Sequence, residues 1–198
     1  MNRHDCLQAL VPHISDQLVV PSVSGQWIWG ELSKHDGNLL LGSMGNAIGV
    51  GLGMALALPH RKVIVLESDG SVLLSLFNLP TLGSLNPDNL VVFVFDNEAY
   101  SGSRISRPTA TAGKTDLAAM AKDAGVSYAV TVRDIEAFNR EMSLAVKEKG
   151  LRFIVAKIEE TFEHRKVQRS DVDLLENKYR FVRYIERTEG MPVFRGRG

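Results

Sequence analysis

The sequence predicts an α/β fold, a mostly parallel sheet with helices on both faces, and three observations predict it. Residues 63–66 and 90–95 are continuous apolar runs of β-branched, leucine and phenylalanine residues with no polar alternation, the pattern of strands buried on both faces. Helical patterns separate these runs from several shorter strand candidates. Strands that alternate with helices form a parallel sheet covered on both sides. Boundary residues agree: Asp116 and Asp134 stand where helices should be capped, and Gly125 and Gly150 stand where they should stop.

In chain order, residues 4–10 carry the first helical pattern and residues 18–20 the first strand. Trp27 and Trp29 stand near a helix start and are read as partner contact in preference to core. Residues 39–41 form a short strand that runs into Gly42-Ser43-Met44-Gly45-Asn46-Ala47. Residues 47–58 are the longest apolar stretch, too short to span a bilayer and rich in glycine, so they read as a helix buried against the sheet. Gly45, Gly49 and Gly53 recur every four residues and would let that helix lie close to a sheet or a neighbouring helix. Gly49, Gly51 and Gly53 are spaced wrongly for a dinucleotide fingerprint. Strand 63–66 runs into Glu67-Ser68-Asp69-Gly70-Ser71 and a helical pattern; strand 90–95 runs into Asp96-Asn97-Glu98-Ala99-Tyr100. A helix at 116–123, a weaker strand at 128–132, a helix at 135–149 and a strand at 153–156 complete a domain over residues 1–160. Residues 161–198 are charged, with Leu174, Leu175, Tyr179, Phe181, Val182 and Ile185 giving one helix a partial apolar face. They read as a C-terminal arm packed on the domain or on a partner.

Composition narrows the function classes. The net charge is zero, which argues against broad nucleic-acid or anionic-membrane binding. Cys6 is the single cysteine, so an intrachain disulfide and a cysteine-based zinc site are both excluded. The N-terminus lacks the apolar core of a signal peptide, and a cytoplasmic location is expected. The five histidines are scattered and form no close ligand pair.

In parallel sheets, ligands bind at the carboxyl ends of strands. There, Asp69 offers a carboxylate, and the N–H groups of the following glycine turn and helix start favour a phosphate. A hard cation bridging carboxylate and phosphate fits the same place. Asn97 offers an amide oxygen after the next strong strand. Either feature alone also describes an ordinary turn; the pair, one crossover apart, is more specific.

The pair resembles the signature of thiamine-diphosphate enzymes, a Gly-Asp-Gly and an Asn-Asn separated by one helix and one strand, here Ser68-Asp69-Gly70 and Asp96-Asn97. By that resemblance Asp69 and Asn97 ligate Mg²⁺ through their side chains and Ala99 through its carbonyl. Gly70 and Ser71 hold the diphosphate, and Tyr100 joins the cofactor-binding residues. The turn Gly42-Ser43-Met44-Gly45 resembles the segment whose bulky residue wedges the cofactor into a bent shape. Met44 would be the wedge, and the Gly42 carbonyl would accept from the cofactor's 4'-amino group. The alternative for Met44 is a core residue. The branch most similar is that of sulfopyruvate decarboxylase beta subunits and phosphonopyruvate decarboxylases, on these motifs together with Leu85-Asn86-Pro87-Asp88-Asn89-Leu90, Pro108-Thr109-Ala110 and Thr115-Asp116-Leu117-Ala118.

The resemblance implies non-oxidative decarboxylation of a 2-oxo acid to an aldehyde. The glutamate that activates the cofactor lies in a second domain in this family. Glu31, Glu67 and Glu98 do not match it, so no catalytic residue is expected in this chain. A partner chain of alpha type, carrying the pyrimidine-binding domain, would supply it in a hetero-oligomer. Ser68, in place of the first signature glycine, Asn46, in place of a frequent histidine, and the loop Ser101-Gly102-Ser103-Arg104-Ile105-Ser106-Arg107 depart from the branch pattern; the changed loop puts the substrate in doubt more than the cofactor. Arg104 and Arg107 read either as a fork for a sulfonate or phosphonate or as a solvated loop. A carboligase or oxidative subunit, and a non-catalytic module of the same fold, stay open as alternatives.

Overall fold

The computed structural model describes residues 1–23, 25–100, 106–159 and 173–193. In chain order the elements are helix α1 (Arg3–Leu10), strand β1 (Leu18–Pro21), helices α2 (Gln26–Leu32) and α3 (Ala47–Ala57), and strand β2 (Val63–Ser68). Helices α4 (Asp69–Leu74) and α5 (Asn78–Leu85), strand β3 (Leu90–Asp96) and the short strands β4 (Ala99–Tyr100) and β5 (Arg107–Pro108) follow. Helix α6 (Leu117–Asp123), strand β6 (Ala129–Val132), helix α7 (Ile135–Lys147), strand β7 (Arg152–Lys157) and helix α8 (Leu174–Glu189) complete them. The caps read from the sequence form: Asp116 accepts from the N–H groups of Ala118 and Ala119, and Asp134 from that of Ala137. Gly125 and Gly150 take φ of 97° and 113°, beyond the reach of most side chains.

Five strands form one parallel sheet in the order β1-β2-β3-β7-β6. The apolar runs have no polar face because each strand feeds two cores by turns. Val63, Val65, Leu90, Val92, Val94, Phe153 and Val155 point to one layer, with residues of α3, α5, α6 and α8. Ile64, Leu66, Val91, Phe93, Phe95, Ile154 and Ala156 point to the other, with residues of α1, α2 and α7. The chain leaves the adjacent strands β1 and β2 toward opposite faces, since Trp29 of α2 lies in the second layer and Val72 of α4 in the first. Their carboxyl ends therefore flank a crevice.

Three expectations are corrected. Residues 39–41 form no strand; only Asn38 bridges to Val19, although Leu39 and Leu41 donate to the carbonyls of Val19 and Pro21 at 2.8 and 3.1 Å. The reason lies in α8, which occupies the position where a further strand would pair. Trp29 is fully buried and donates to Asn38 Oδ1 at 2.9 Å, so it is core and not a partner surface; Trp27 is half-buried. The close approach of α3 to the sheet is made at Gly51, where a Cβ would stand 2.2 Å from Val65 Cγ2. Gly49 approaches the neighbouring helix α5 instead, a Cβ there standing 3.5 Å from Asn78 Oδ1, and a Cβ on Gly53 would meet nothing within 4 Å. Among the described residues no helix is long and apolar enough to cross a membrane.

Candidate active site

Strands β2 and β3 pair in parallel through Ser68 and Phe95. Asp69 and Asn97 consequently lie just past the carboxyl ends of neighbouring strands, as the spacing required. Asp69 is the first residue of α4 and fully buried; Asn97 and Ala99 are half-buried and Tyr100 is exposed. Gly70 lies under the Tyr100 ring, and a Cβ there would stand 2.5 Å from Tyr100 Cε1. Glycine is thus what lets the β4 tyrosine close over the start of α4.

The two motifs meet directly. Gly45 N–H donates to Ser71 Oγ at 2.7 Å, so the 42–45 turn is tied to the Asp69-Gly70-Ser71 segment. Gly45 has φ of 81°, a backbone state that favours glycine. The Ser71 hydroxyl also hydrogen-bonds the Glu67 carboxyl, which burial pushes above the ordinary carboxylate range and which Ser71 and Ser22 partly restore. Gly42, Ser43 and Met44 are exposed at the tip of the turn, and Asn46 braces it by donating to Ser43 Oγ at 2.9 Å. Met44 is 37% exposed, which overturns its reading as a core residue.

A second group around Asp69 was not anticipated. Thr109 donates to Asp69 Oδ2 at 2.7 Å. Thr111 Oγ1 lies 2.8 Å from Asp96 Oδ1, 2.8 Å from Thr109 Oγ1 and 3.2 Å from Asp69 Oδ2, so its one proton has three acceptors within reach, two of them carboxylates. Lys157, at the end of β7, bonds Asp96 Oδ2 at 2.8 Å and Glu98 Oε1 at 2.7 Å. Burial pushes the Asp69 carboxyl up; Thr109 counters this, and the charge of Asp96 adds to it. For Lys157 burial acts against the charge, but the hydrogen bonds to Asp96 and Glu98 outweigh it and hold the amine above the ordinary lysine value. Arg3, half-buried on the second face, feels the charge of Asp69 as well. Thr109 lies in the Pro108-Thr109-Ala110 segment, but nothing local in sequence marks the partner of its hydroxyl; Lys157 is marked only by its place after a strand.

Beside this group a cavity of about 220 Å³ opens at the ends of β3, β7 and β6, with Thr111, Lys114, Arg133 and Lys157 among its walls. Arg107 is exposed in the β4–β5 pair, while Arg104 lies outside the described residues. Among the described residues no cluster of three His, Cys, Asp or Glu side chains could hold a metal. A cation at this place would rely on a carboxylate with amide and carbonyl oxygens.

Comparison with known proteins agrees with this geometry. Residues 26–156 match the family described as thiamine pyrophosphate enzyme, C-terminal TPP binding domain. The chain is 32% identical over 189 residues to sulfopyruvate decarboxylase subunit beta of Methanocaldococcus jannaschii, covering 94% of this chain and 98% of that one. It is 43% identical over 86 residues to phosphonopyruvate decarboxylase of Streptomyces viridochromogenes, covering 43% of this chain and 21% of that protein. The benzoylformate decarboxylase structure from Polynucleobacter necessarius superposes with a TM-score of 0.64 at 20% identity. That match covers 80% of this chain but only 33% of the longer enzyme, and it establishes the fold.

Proposed function

The chain belongs to the thiamine pyrophosphate enzymes, through their C-terminal TPP binding domain, and on that premise we propose that it is the thiamine-diphosphate- and Mg²⁺-binding subunit of a 2-oxo acid decarboxylase of the sulfopyruvate or phosphonopyruvate type. The observation that carries the reading is the Gly45 N–H to Ser71 Oγ bond, which joins the two motifs into one site. In this reading residues 1–160 are the cofactor domain, residues 161–198 are a C-terminal arm whose helix α8 joins the first core, and the enzyme works in the cytoplasm.

The residues present fit the group. Asp69, Asn97 and the Ala99 carbonyl are oxygen donors with one carboxylate among them, a set suited to Mg²⁺, which leaves room for ligand phosphates and water. A buried carboxyl pushed upward by desolvation and by Asp96 is also where a cation gains most. When bound, thiamine diphosphate supplies the electron sink that lets carbon dioxide leave a 2-oxo acid. The chain's own residues hold and orient. Gly70 and Ser71 sit at the start of α4, with N–H groups available to phosphate oxygens. Met44, on a turn fixed by Ser71 and Asn46, offers a polarizable side chain to flat rings. The Gly42 carbonyl would be the acceptor for the cofactor's 4'-amino group.

The activating glutamate comes from an alpha-type partner chain, a reading supported by the subunit name of the archaeal relative. Met44, Leu74 and Phe77 are 37%, 60% and 72% exposed, and Leu74 borders the turn at Gly45. Burying them against a second chain would contribute favourably.

The test is to co-express this chain with its alpha-type partner and assay sulfopyruvate and phosphonopyruvate. Asp69→Ala is expected to lower Mg²⁺-dependent thiamine diphosphate affinity by more than about 100-fold, because a direct ligand is lost. Cofactor-dependent turnover that survives in Asp69→Ala sinks the reading.

A further inference from the structure

Helix α8 reaches the candidate site through one buried side chain. Residues 37–41 run beside β1, and their inward groups pair with it: Val19 N–H donates to Gly37 O, and Leu39 N–H to Val19 O. The outward groups, Leu40 N–H and Asn38 O, would be left without a strand. Asn177 meets both, accepting from Leu40 N–H at 2.8 Å and donating to Asn38 O at 3.0 Å. One side-chain amide thus takes the place of a strand's peptide group, and it is 1% exposed. Asn38 is fixed in turn by Trp29 and Ser33. One helical turn before Asn177, Leu174 closes on Gly42, and a Cβ at Gly42 would stand 2.7 Å from Leu174 Cδ1.

We propose that Asn177, with Leu174, is a positioning residue for the 42–45 turn: the first turn of α8 sets the path on which Gly42 and Met44 are presented to the cofactor. The turn is then held at both ends, by α8 where the chain comes in and by Ser71 at Gly45. Asn177 is not needed to keep α8 on the domain. Phe181, Tyr184 and Ile185 are buried in the first core, and Arg61 binds Glu189 at 2.6 Å and the Tyr184 hydroxyl at 3.0 Å at the far end of the helix. The amide of Asn177 adds direction at the carboxyl edge, where a wrong path would displace Gly42 itself. Its functional consequence rests on the cofactor reading above.

The experiment compares Asn177→Asp, which keeps the acceptor and loses the donor, with Leu174→Ala and with Phe181→Leu, a control buried in the same helix away from the turn. Hydrogen exchange of the full chain, followed by mass spectrometry, reads residues 40–45. Titration of the assembled enzyme with thiamine diphosphate and Mg²⁺ reads the cofactor Kd. Exchange at 40–45 and the Kd are both expected to rise about tenfold in Asn177→Asp, the scale of one lost hydrogen bond, to rise as well in Leu174→Ala, where the apolar contact with Gly42 is lost instead, and to stay at the wild-type value in Phe181→Leu. If Asn177→Asp fails to fold, Leu174→Ala carries the same comparison, since Leu174 is only half-buried. Equal exchange at 40–45 in all three variants makes α8 a structural cover and overturns the proposal, as does faster exchange with an unchanged Kd. An assembled wild-type enzyme that binds no thiamine diphosphate removes the cofactor reading instead, and the exchange comparison still decides whether α8 positions the turn.

Discussion

Substituting alanine at two glycines of α3 is expected to move stability in opposite directions. At Gly51 an added Cβ would stand 2.2 Å from Val65 Cγ2, with Leu90 Cδ1 and Val63 Cγ1 each 3.7 Å away. Val65 is fully buried in β2, and a β-branched side chain has little χ1 freedom with which to turn aside. The helix must therefore back away from the sheet and loosen Ile48 and Leu52, which share that core. Overpacking of this kind costs about 3 kcal/mol at the upper end of its usual range. The better helix propensity of alanine returns roughly 1 kcal/mol, leaving Gly51→Ala about 2 kcal/mol less stable. At Gly53 nothing lies within 4 Å of the added methyl, so only the propensity gain of about 0.5–1 kcal/mol remains. Urea denaturation of the isolated chain reads both, as a lower midpoint for the first variant and a higher one for the second at unchanged slope. A Gly51→Ala protein as stable as the wild type would refute the claim that Gly51, and not Gly49 or Gly53, sets the spacing of helix and sheet.

Other outcomes follow from single groups. Thr111→Val keeps the shape but removes the hydroxyl between Asp69 and Asp96; the apparent Mg²⁺ affinity of the assembled enzyme should fall about tenfold, and an unchanged titration would make that bridge incidental. Burial pushes the Cys6 thiol up to about 12, from an ordinary 9.0. The fold therefore favours the neutral thiol, and its contribution to stability is lost as pH rises from about 9 toward 12. At pH 8 Cys6 should react with a disulfide reagent only as fast as the chain opens, and immediate reaction in native buffer would contradict its burial.

The legible parts of the fold are those specified by contiguous residues. Strands β2 and β3 could be read because both faces are buried, which leaves an unbroken apolar run. The ends of α6 and α7 could be read because capping is local, carried by Asp116 and Asp134 a few residues from the groups they bond. Asp69 and Asn97 were visible for the same reason, since a strand end followed by a turn residue is a local pattern. What escaped depends on contacts distant in sequence. Residues 39–41 look like a strand, but the groups that decide are on Asn177, in a segment that shows only a charged amphipathic pattern. Trp29 looks like a surface anchor until Asn38 gives its indole N–H a buried acceptor.

The same distinction explains the electrostatics around Asp69. Parallel pairing of β2 with β3 forces Asp69 and Asp96 to the ends of adjacent strands, where burial and mutual repulsion both disfavour two negative charges. Within the motifs the Glu98 N–H donates to Asp96 Oδ1 at 3.0 Å and the Gly70 backbone favours the Asp69 carboxylate, and the remaining relief is distant in sequence. Relief comes from the hydroxyls of Thr109 and Thr111, on the segment after β5, and from the Lys157 amine at the end of β7. Asp96 thereby acquires its own cation, while Asp69 receives the hydroxyl bonds and, from the second face, the charge of Arg3. The two carboxylates become unlike: one is committed to a structural ion pair, and the other stands at the start of α4 beside Asn97. Both Asp96 oxygens are engaged, Oδ2 by Lys157 and Oδ1 by Thr111 and the Glu98 N–H, which gives a reason why Asp69, and not its neighbour Asp96, is suited to be the ligand.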